Sequence, residues 1–328
     1  MKRIWKEVLL SALMGLGLPG AVLAITANVE TPGTVIEIST LQPTAPTLQE
    51  TQPREMEPVK IPILTGQGIR EMELNEYLTG VVLAEMPVSF ELEAQKAQAV
   101  VARTYTMRAH GRGGRHEGAA VCTDSTCCQS YISPADYLEA GGTQAGVDRI
   151  RGAVQATDGQ VLTYGGELIE ATYFSCSGGV TEDAAAVWGA DYPYLRSVES
   201  PGEEGATHYT DTKTFSAAQF ETALDRNLDG SPASWFGVTT YTTGGGVASM
   251  EIGGKVYKGT SLRSLLGLRS TSFTVKVNSN SITITTKGFG HRVGMSQYGA
   301  DAMAVLGSTY DEILAHYYQG TSLEGLRN

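Results

Sequence analysis

The sequence predicts an α+β fold, in which helices stand toward both ends of the folded region and hairpin-like strands fill its middle. Three observations predict it. Leu78, Val82 and Glu85 recur at helical spacing, and an Ala-rich stretch follows them. Tyr164-Gly165-Gly166 lies between two β-prone runs, which is hairpin chemistry. Alternating apolar and polar residues around 238–257 and 272–286 read as further strands.

Taken in order, Lys2, Arg3 and Lys6 precede an almost unbroken apolar run from Val8 to Ile25. A spanning helix needs about 20 apolar residues, so residues 1–25 are expected to be a signal anchor. A secretory signal peptide ending at the small residues near Ala24 is the alternative. Basic residues before the run, with no basic cluster after it, direct the rest of the chain outside the cytoplasm. Residues 26–60 are rich in Thr, Pro, Gln and Glu and read as a tether.

The main core is expected over 61–205 and again over 287–328, with a smaller inserted α/β subdomain over 206–286. Its first helix covers 75–85. A second runs from an N-cap at Ser89 to about His110, with Lys96, Val100, Arg103 and Met107 on one face. Residues 111–130 are Gly-rich and then Cys-rich, which is loop chemistry. Val154–Thr163 and Glu167–Tyr173 read as strands, and Phe215–Arg226 as a short helix. A helix from Ser296 to Leu306 stops at Gly307, and Thr309 with Glu312 forms a capping box for a last helix through Tyr318.

A chain of 328 residues, 41% hydrophobic and 18% charged, can bury a substantial core. Its net charge of -11 repels polyanions, which argues against nucleic acid as a partner. Four cysteines are too few for a disulfide scaffold. No G-x-x-x-x-G-K-[ST], H-E-x-x-H or G-x-S-x-G occurs, against nucleotide hydrolysis, a zincin or an α/β-hydrolase.

Glu85 is the first candidate for chemistry. A carboxyl on the apolar stripe at a helix C-terminus meets desolvation and the negative dipole end, both of which raise its pKa. Such a group can stay protonated and serve as a general acid; the competing reading is a solvent-facing helix end. Lys96 and Arg103 form a cationic pair suited to a carboxylate or a sugar, or are ordinary surface charges. His116, Cys122 and Cys128 suit tetrahedral zinc, with Cys127, water or substrate as fourth ligand, and a disulfide among the cysteines, Cys176 included, is the competitor. Residues 173–179 and 288–294 are small-residue loops in which backbone can approach a ligand, or simply tight turns.

Tyr77-Leu78-Thr79-Gly80-Val81-Val82-Leu83-Ala84-Glu85-Met86-Pro87, followed by Lys96-Ala97-Gln98-Ala99-Val100-Val101-Ala102-Arg103-Thr104-Tyr105, resembles the stage II sporulation protein D (SpoIID) family. Ser175 to Gly179 with Thr181, Trp188-Gly189 through Tyr194-Leu195, and His291 through Ala300 agree with the same family, so the likeness runs over residues 60 to 320. It implies a lytic transglycosylase of peptidoglycan that acts during engulfment of the forespore, with the Glu of Ala84-Glu85-Met86-Pro87 as catalytic residue. Lys96, Arg103, Tyr173, Ser175, His291 and Gln297 are then expected to bind substrate. The resemblance also favours a structural zinc on His116, Cys122 and Cys128. Cys127 stands where relatives commonly carry His, which leaves one ligand open.

The implied reaction breaks the bond from N-acetylmuramic acid to N-acetylglucosamine in strands without stem peptides, and leaves a 1,6-anhydro end. Expected partners are peptidoglycan glycan strands, the membrane through the N-terminal helix, a cell-wall amidase and other engulfment proteins. The rival readings are a zinc-dependent amidase or peptidase and a non-catalytic wall-binding scaffold.

Overall fold

The computed structural model describes residues 58–279 and 281–326. The expected anchor, and the expected tether as far as residue 57, lie outside the described residues. Among those described, no helix is long and apolar enough to cross a membrane. The chain is a mixture of helices and small, mostly antiparallel sheets, an α+β arrangement.

The described region opens with a hairpin of β1 (Lys60–Thr65) and β2 (Gly68–Glu73), whose inward residues Ile61 and Ile63 are fully buried. Glu73 then caps α1 (Leu74–Glu85), its carboxylate accepting from Asn75 N at 3.0 Å and Glu76 N at 2.7 Å. Leu74, Tyr77, Leu78, Val81 and Val82 form the buried side of α1. The helix stops at Glu85 because Pro87 drives Met86 into extended backbone (φ -130°, ψ 133°). Sequence thus fixes Glu85 as the last helical residue.

The second helix, α2 (Leu92–Gly111), begins later than expected. Ser89 is not its N-cap. The segment after Pro87 closes a turn, with Phe90 N donating to Pro87 O at 3.0 Å, and Glu91 takes the cap position. Ala94, Ala97, Ala99, Val100, Val101 and Ala102 are fully buried around α2, and small side chains there let neighbours approach from several sides.

β3 (Val121–Cys122) lies parallel to β1 and pulls the Cys-rich loop back onto the core. α3 (Pro134–Glu139) and α4 (Gln144–Ala156) follow. Val154 belongs to α4, so the strand expected from that residue starts only at β4 (Gln160–Tyr164), which turns through Gly165-Gly166 into β5 (Glu167–Leu168). Tyr173 is not continuous with that hairpin but opens β6 (Tyr173–Phe174), and α5 (Ala184–Trp188) comes next.

A second apolar cluster is built from later residues. β7 (Thr210–Ser216) leads into α6 (Ala217–Leu224), where Ser216 and Gln219 form a capping box. β8 (Phe236–Tyr241), β9 (Val247–Ile252) and β10 (Lys255–Lys258) make one antiparallel sheet, followed by α7 (Gly259–Leu265). β11 (Phe273–Val277) and β12 (Ser281–Lys287) complete a second sheet with β7. Phe220, Trp235, Ile252, Leu262, Phe273 and Ile282 fill the space between.

The chain then returns to the first core. β13 (Met295–Ser296) pairs parallel with β6, α8 (Gln297–Val305) and α9 (Tyr310–Tyr317) pack on α2, and β14 (Ser322–Gly325) adds to β4. Ser296 caps α8 and Gly307 (φ +97°) follows its end, while Glu312 accepts from Thr309 N at 3.0 Å at the start of α9. Arg292 locks the two clusters together. It sits in the left-handed region (φ +66°), is 2% exposed, and pairs with the fully buried Glu182 at 3.1 Å. Its guanidinium also donates to Ser177 O, Val180 O and Gly244 O at 2.7 Å each, and Glu182 accepts from Thr242 Oγ1 and Gly246 N.

Candidate active site

Glu85 is largely buried, at the end of α1 beside the loop that follows the cysteines. Ser130 N donates to its Oε1 at 2.7 Å and Gln297 Nε2 to its Oε2 at 3.4 Å. Burial raises its pKa above the ordinary 4.5, and the donors on it, Ser130 N first and then Gln297, only partly oppose the rise. The carboxyl is therefore biased toward its neutral, proton-carrying form.

Tyr173 adjoins Glu85, and burial with that neighbouring carboxyl pushes its phenol pKa well above 10. It stays a neutral hydroxyl. Its OH donates to Gln129 Oε1 at 3.2 Å, and Gln129 in turn donates to Tyr77 OH at 3.2 Å and Thr106 Oγ1 at 3.0 Å. This chain, anchored in α1 and α2, holds the phenol in place.

Two cavities meet at Glu85. One of about 970 Å³ is lined by Glu85, Tyr173, Ser175, His291 and Gln297 together with Trp188, Tyr192, Arg115, Arg263, Cys127 and Cys128. Another of about 360 Å³ shares Glu85, Ser175 and Gln297 and adds Met86, Pro87, Phe90, His208 and Tyr298. Trp188 packs against His291 with ring centroids 5.2 Å apart, and Phe174 lies on the same imidazole at 5.6 Å. Burial, and secondly the charge of Arg263, push His291 down to about 4, so it is neutral at physiological pH.

The loop carrying Ser175 is shaped by a carboxylate the sequence reading did not single out. Glu203, 1% exposed, accepts from Ser177 N at 2.7 Å, Ser177 Oγ at 2.8 Å, Gly178 N at 2.9 Å and Ser200 Oγ at 2.6 Å. Gly178 and Gly288 touch backbone to backbone here, and a Cβ at either would clash.

Lys96 and Arg103 are not brought to the cavities. Lys96 pairs with Glu93 at 2.6 Å, and Glu93 accepts from Tyr310 N at 2.9 Å, a link from α2 to α9. Arg103 is fully buried and donates to Val154 O at 3.1 Å, Gln160 O at 3.2 Å and Asn75 Oδ1 at 3.4 Å. It ties α2 to the end of α4 and the start of β4. The helical stripe that they share with Val100 is real, but it faces protein.

His116, Cys122, Cys127 and Cys128 converge, with all four donor atoms within 4.8 Å of one another. His116 Nε2 lies 3.4 Å from Cys128 Sγ and 3.7 Å from Cys127 Sγ, and the two sulfurs are 3.9 Å apart. Zinc bonds of about 2.3 Å to sulfur and 2.0 Å to nitrogen space tetrahedral donors by about 3.5–3.8 Å, so this set fits such an ion. Cys127 is the residue placed to take the fourth position, which the sequence leaves open. All four cysteines are free, and Cys176 lies apart, donating to Glu203.

Ser130, Gln129, Tyr192 and Arg263 also belong to the site or its support. Gln129 and Ser130 directly follow the Cys pair and could have been found as its continuation, whereas nothing in the local pattern marks Arg263.

A family profile described as stage II sporulation protein matches residues 65–164. The chain is 41% identical to "Stage II sporulation protein D" of Bacillus subtilis (strain 168) over 308 residues, 92% of this chain and 90% of that one. It is also 41% identical to the protein of that name from Bacillus amyloliquefaciens, over 85% of this chain and 84% of the relative. An "Amidase enhancer" of Bacillus subtilis is 32% identical over 75% of this chain and 40% of its own length. The likeness covers nearly the whole of both chains in the first case and includes the segments that assemble around Glu85, so the chain belongs to the stage II sporulation protein D (SpoIID) family.

Proposed function

We propose that the two cavities hold a peptidoglycan glycan strand and that Glu85 cleaves it as a lytic transglycosylase. The observation that carries this reading is the position of Glu85: a carboxyl biased toward its protonated form that lines two cavities at once. A polymer cleaved internally must have sugar on either side of the bond to be broken.

In this mechanism Glu85 gives its proton to the oxygen joining N-acetylmuramic acid to N-acetylglucosamine. The bond from that oxygen to the muramyl C1 breaks through an oxocarbenium-like state. The 6-hydroxyl oxygen of the same muramic acid then bonds to C1, and its proton passes to the Glu85 carboxylate. The acid is regenerated, and the products are a 1,6-anhydro end and a free 4-hydroxyl. One carboxyl suffices. The other carboxyl lining the larger cavity, Glu170, is held by Arg108 at 2.9 Å. Ser130 and Gln297 aim the carboxyl, while Trp188 and Tyr192 offer apolar faces to sugar rings.

His116, Cys122, Cys127 and Cys128 would hold zinc, which supplies structural cross-linking when bound, because four protein donors leave no open position for catalysis. Residues 1–25 would anchor the enzyme with its folded region outside the cytoplasm, at the cell wall. The family name supports a role in sporulation, to which we assign engulfment of the forespore. The relative named for amidase enhancement supports cooperation with an amidase that strips stem peptides.

The test is product analysis. Peptide-free glycan strands incubated with the full-length protein should yield fragments with anhydromuramic ends by mass spectrometry. Reducing muramyl ends would replace transglycosylation by hydrolysis, unchanged strands would leave a binding protein, and peptides released from intact peptidoglycan assayed in parallel would favour the amidase reading.

A further inference from the structure

Arg263 reaches the larger cavity from the last turn of α7, in the second apolar cluster, whereas Glu85 enters from the first. The side chain is partly buried, and desolvation lowers its pKa, so holding it there costs free energy. No carboxylate and no hydrogen-bond acceptor meets its guanidinium among the described residues. The neighbouring His291 is neutral and offers no counter-charge. Of the charged groups lining the cavity, Glu170 is engaged by Arg108 and Arg115 lies over the Tyr105 ring at 5.5 Å. In a chain of net charge -11, this is a cation without a protein partner among the described residues, in a cavity that Glu85 also lines.

A glycan strand of peptidoglycan carries a lactyl ether on every muramic acid. With a stem peptide attached, the lactyl carboxyl is a neutral amide. Without it, the group is a carboxylate, the planar two-oxygen acceptor that a guanidinium binds through paired hydrogen bonds.

We propose that Arg263 binds the free lactyl carboxylate of a muramic acid in the larger cavity and thereby selects strands that have lost their stem peptides. The assignment rests on the reading of the cavities as a glycan site. An amide in the same position would leave the guanidinium unpaired and desolvated, so the discrimination comes from the missing counter-charge as much as from the bond gained.

The experiment compares two matched substrates: peptide-free strands, and the same strands with their lactyl carboxyls converted to methylamides. Full-length wild-type protein, Arg263→Gln and Arg263→Lys are each assayed on both. Wild type should favour the free carboxylate by about 10-fold or more in kcat/KM, carried by KM. Arg263→Gln should lose that preference through a higher KM on the free carboxylate, and its thermal unfolding should match wild type, which shows that it is folded. Arg263→Lys should keep part of the preference. If wild type cleaves strands and Arg263→Gln prefers the carboxylate as strongly, or if the variant loses rate equally on both substrates, the assignment fails alone. If wild type cleaves neither, the glycan reading fails and takes the assignment with it.

Discussion

The side-chain amide of Gln297 donates to the carboxyl of Glu85 at 3.4 Å, although 212 residues of chain separate the two. The contact exists because β13 runs parallel to β6, with Met295 opposite Tyr173 and Ser296 opposite Phe174, which sets Gln297 at the first turn of α8 against the end of α1. Ser130, Tyr173 and Gln297 thus reach one carboxyl from three distant segments, and the topology brings the site together.

Replacing Glu85 by Gln should stabilise the fold at neutral pH. Folded Glu85 has a raised pKa, so between the ordinary value of 4.5 and that raised value the native state binds more protons than the unfolded one. The group's contribution to stability then falls as pH rises through this interval. Gln does not titrate. Thermal unfolding across pH should show Glu85→Gln gaining on wild type above that interval and no pH-dependent gain below 4.5; a constant difference would mean that the carboxyl is not perturbed.

Arg103 acts on the fold from outside the cavities. Arg103→Met removes the donors to Val154 O, Gln160 O and Asn75 Oδ1 and should cost about 2–4 kcal/mol. Urea unfolding measures this, and activity per folded molecule should stay within a few-fold of wild type. Full stability with lost turnover would return Arg103 to the substrate.

The same residue shows what the sequence can and cannot tell. Periodicity correctly puts Val100 and Arg103 on one helix face, but a buried arginine satisfied by carbonyls and a groove arginine have the same spacing. Val147, Ile150 and Val154 carried a helical signal for α4, which the β-branched run around Val161 obscured. The capping pair Thr309 and Glu312 and the Gly165-Gly166 turn were legible because their chemistry is local. Arg263 and Glu203 were not, because long-range packing alone gives them their neighbours.

The junction of the two apolar clusters should depend on Arg292. Arg292→Met leaves Glu182 buried without its counter-charge and should destabilise the chain by about 3–5 kcal/mol, whereas Arg292→Met with Glu182→Gln should cost less than the sum of the single changes. A double-mutant cycle in urea reads the coupling. Additive losses would mean that the two side chains contribute independently.

Zinc should be present at one ion per chain in protein purified without chelator, as elemental analysis can read. Stripping it should lower the melting temperature by several degrees, and glycan cleavage should persist in the protein that remains folded. Immediate loss of turnover with the fold intact would make the metal catalytic.

In the proposed mechanism Glu85 supplies the proton that breaks the strand. Its most direct test measures binding and turnover of peptide-free glycan by full-length Glu85→Gln, which keeps the shape of the side chain and cannot give up a proton. Wild-type affinity is expected, with turnover reduced by at least about 1,000-fold. Turnover near the wild-type rate would contradict that mechanism.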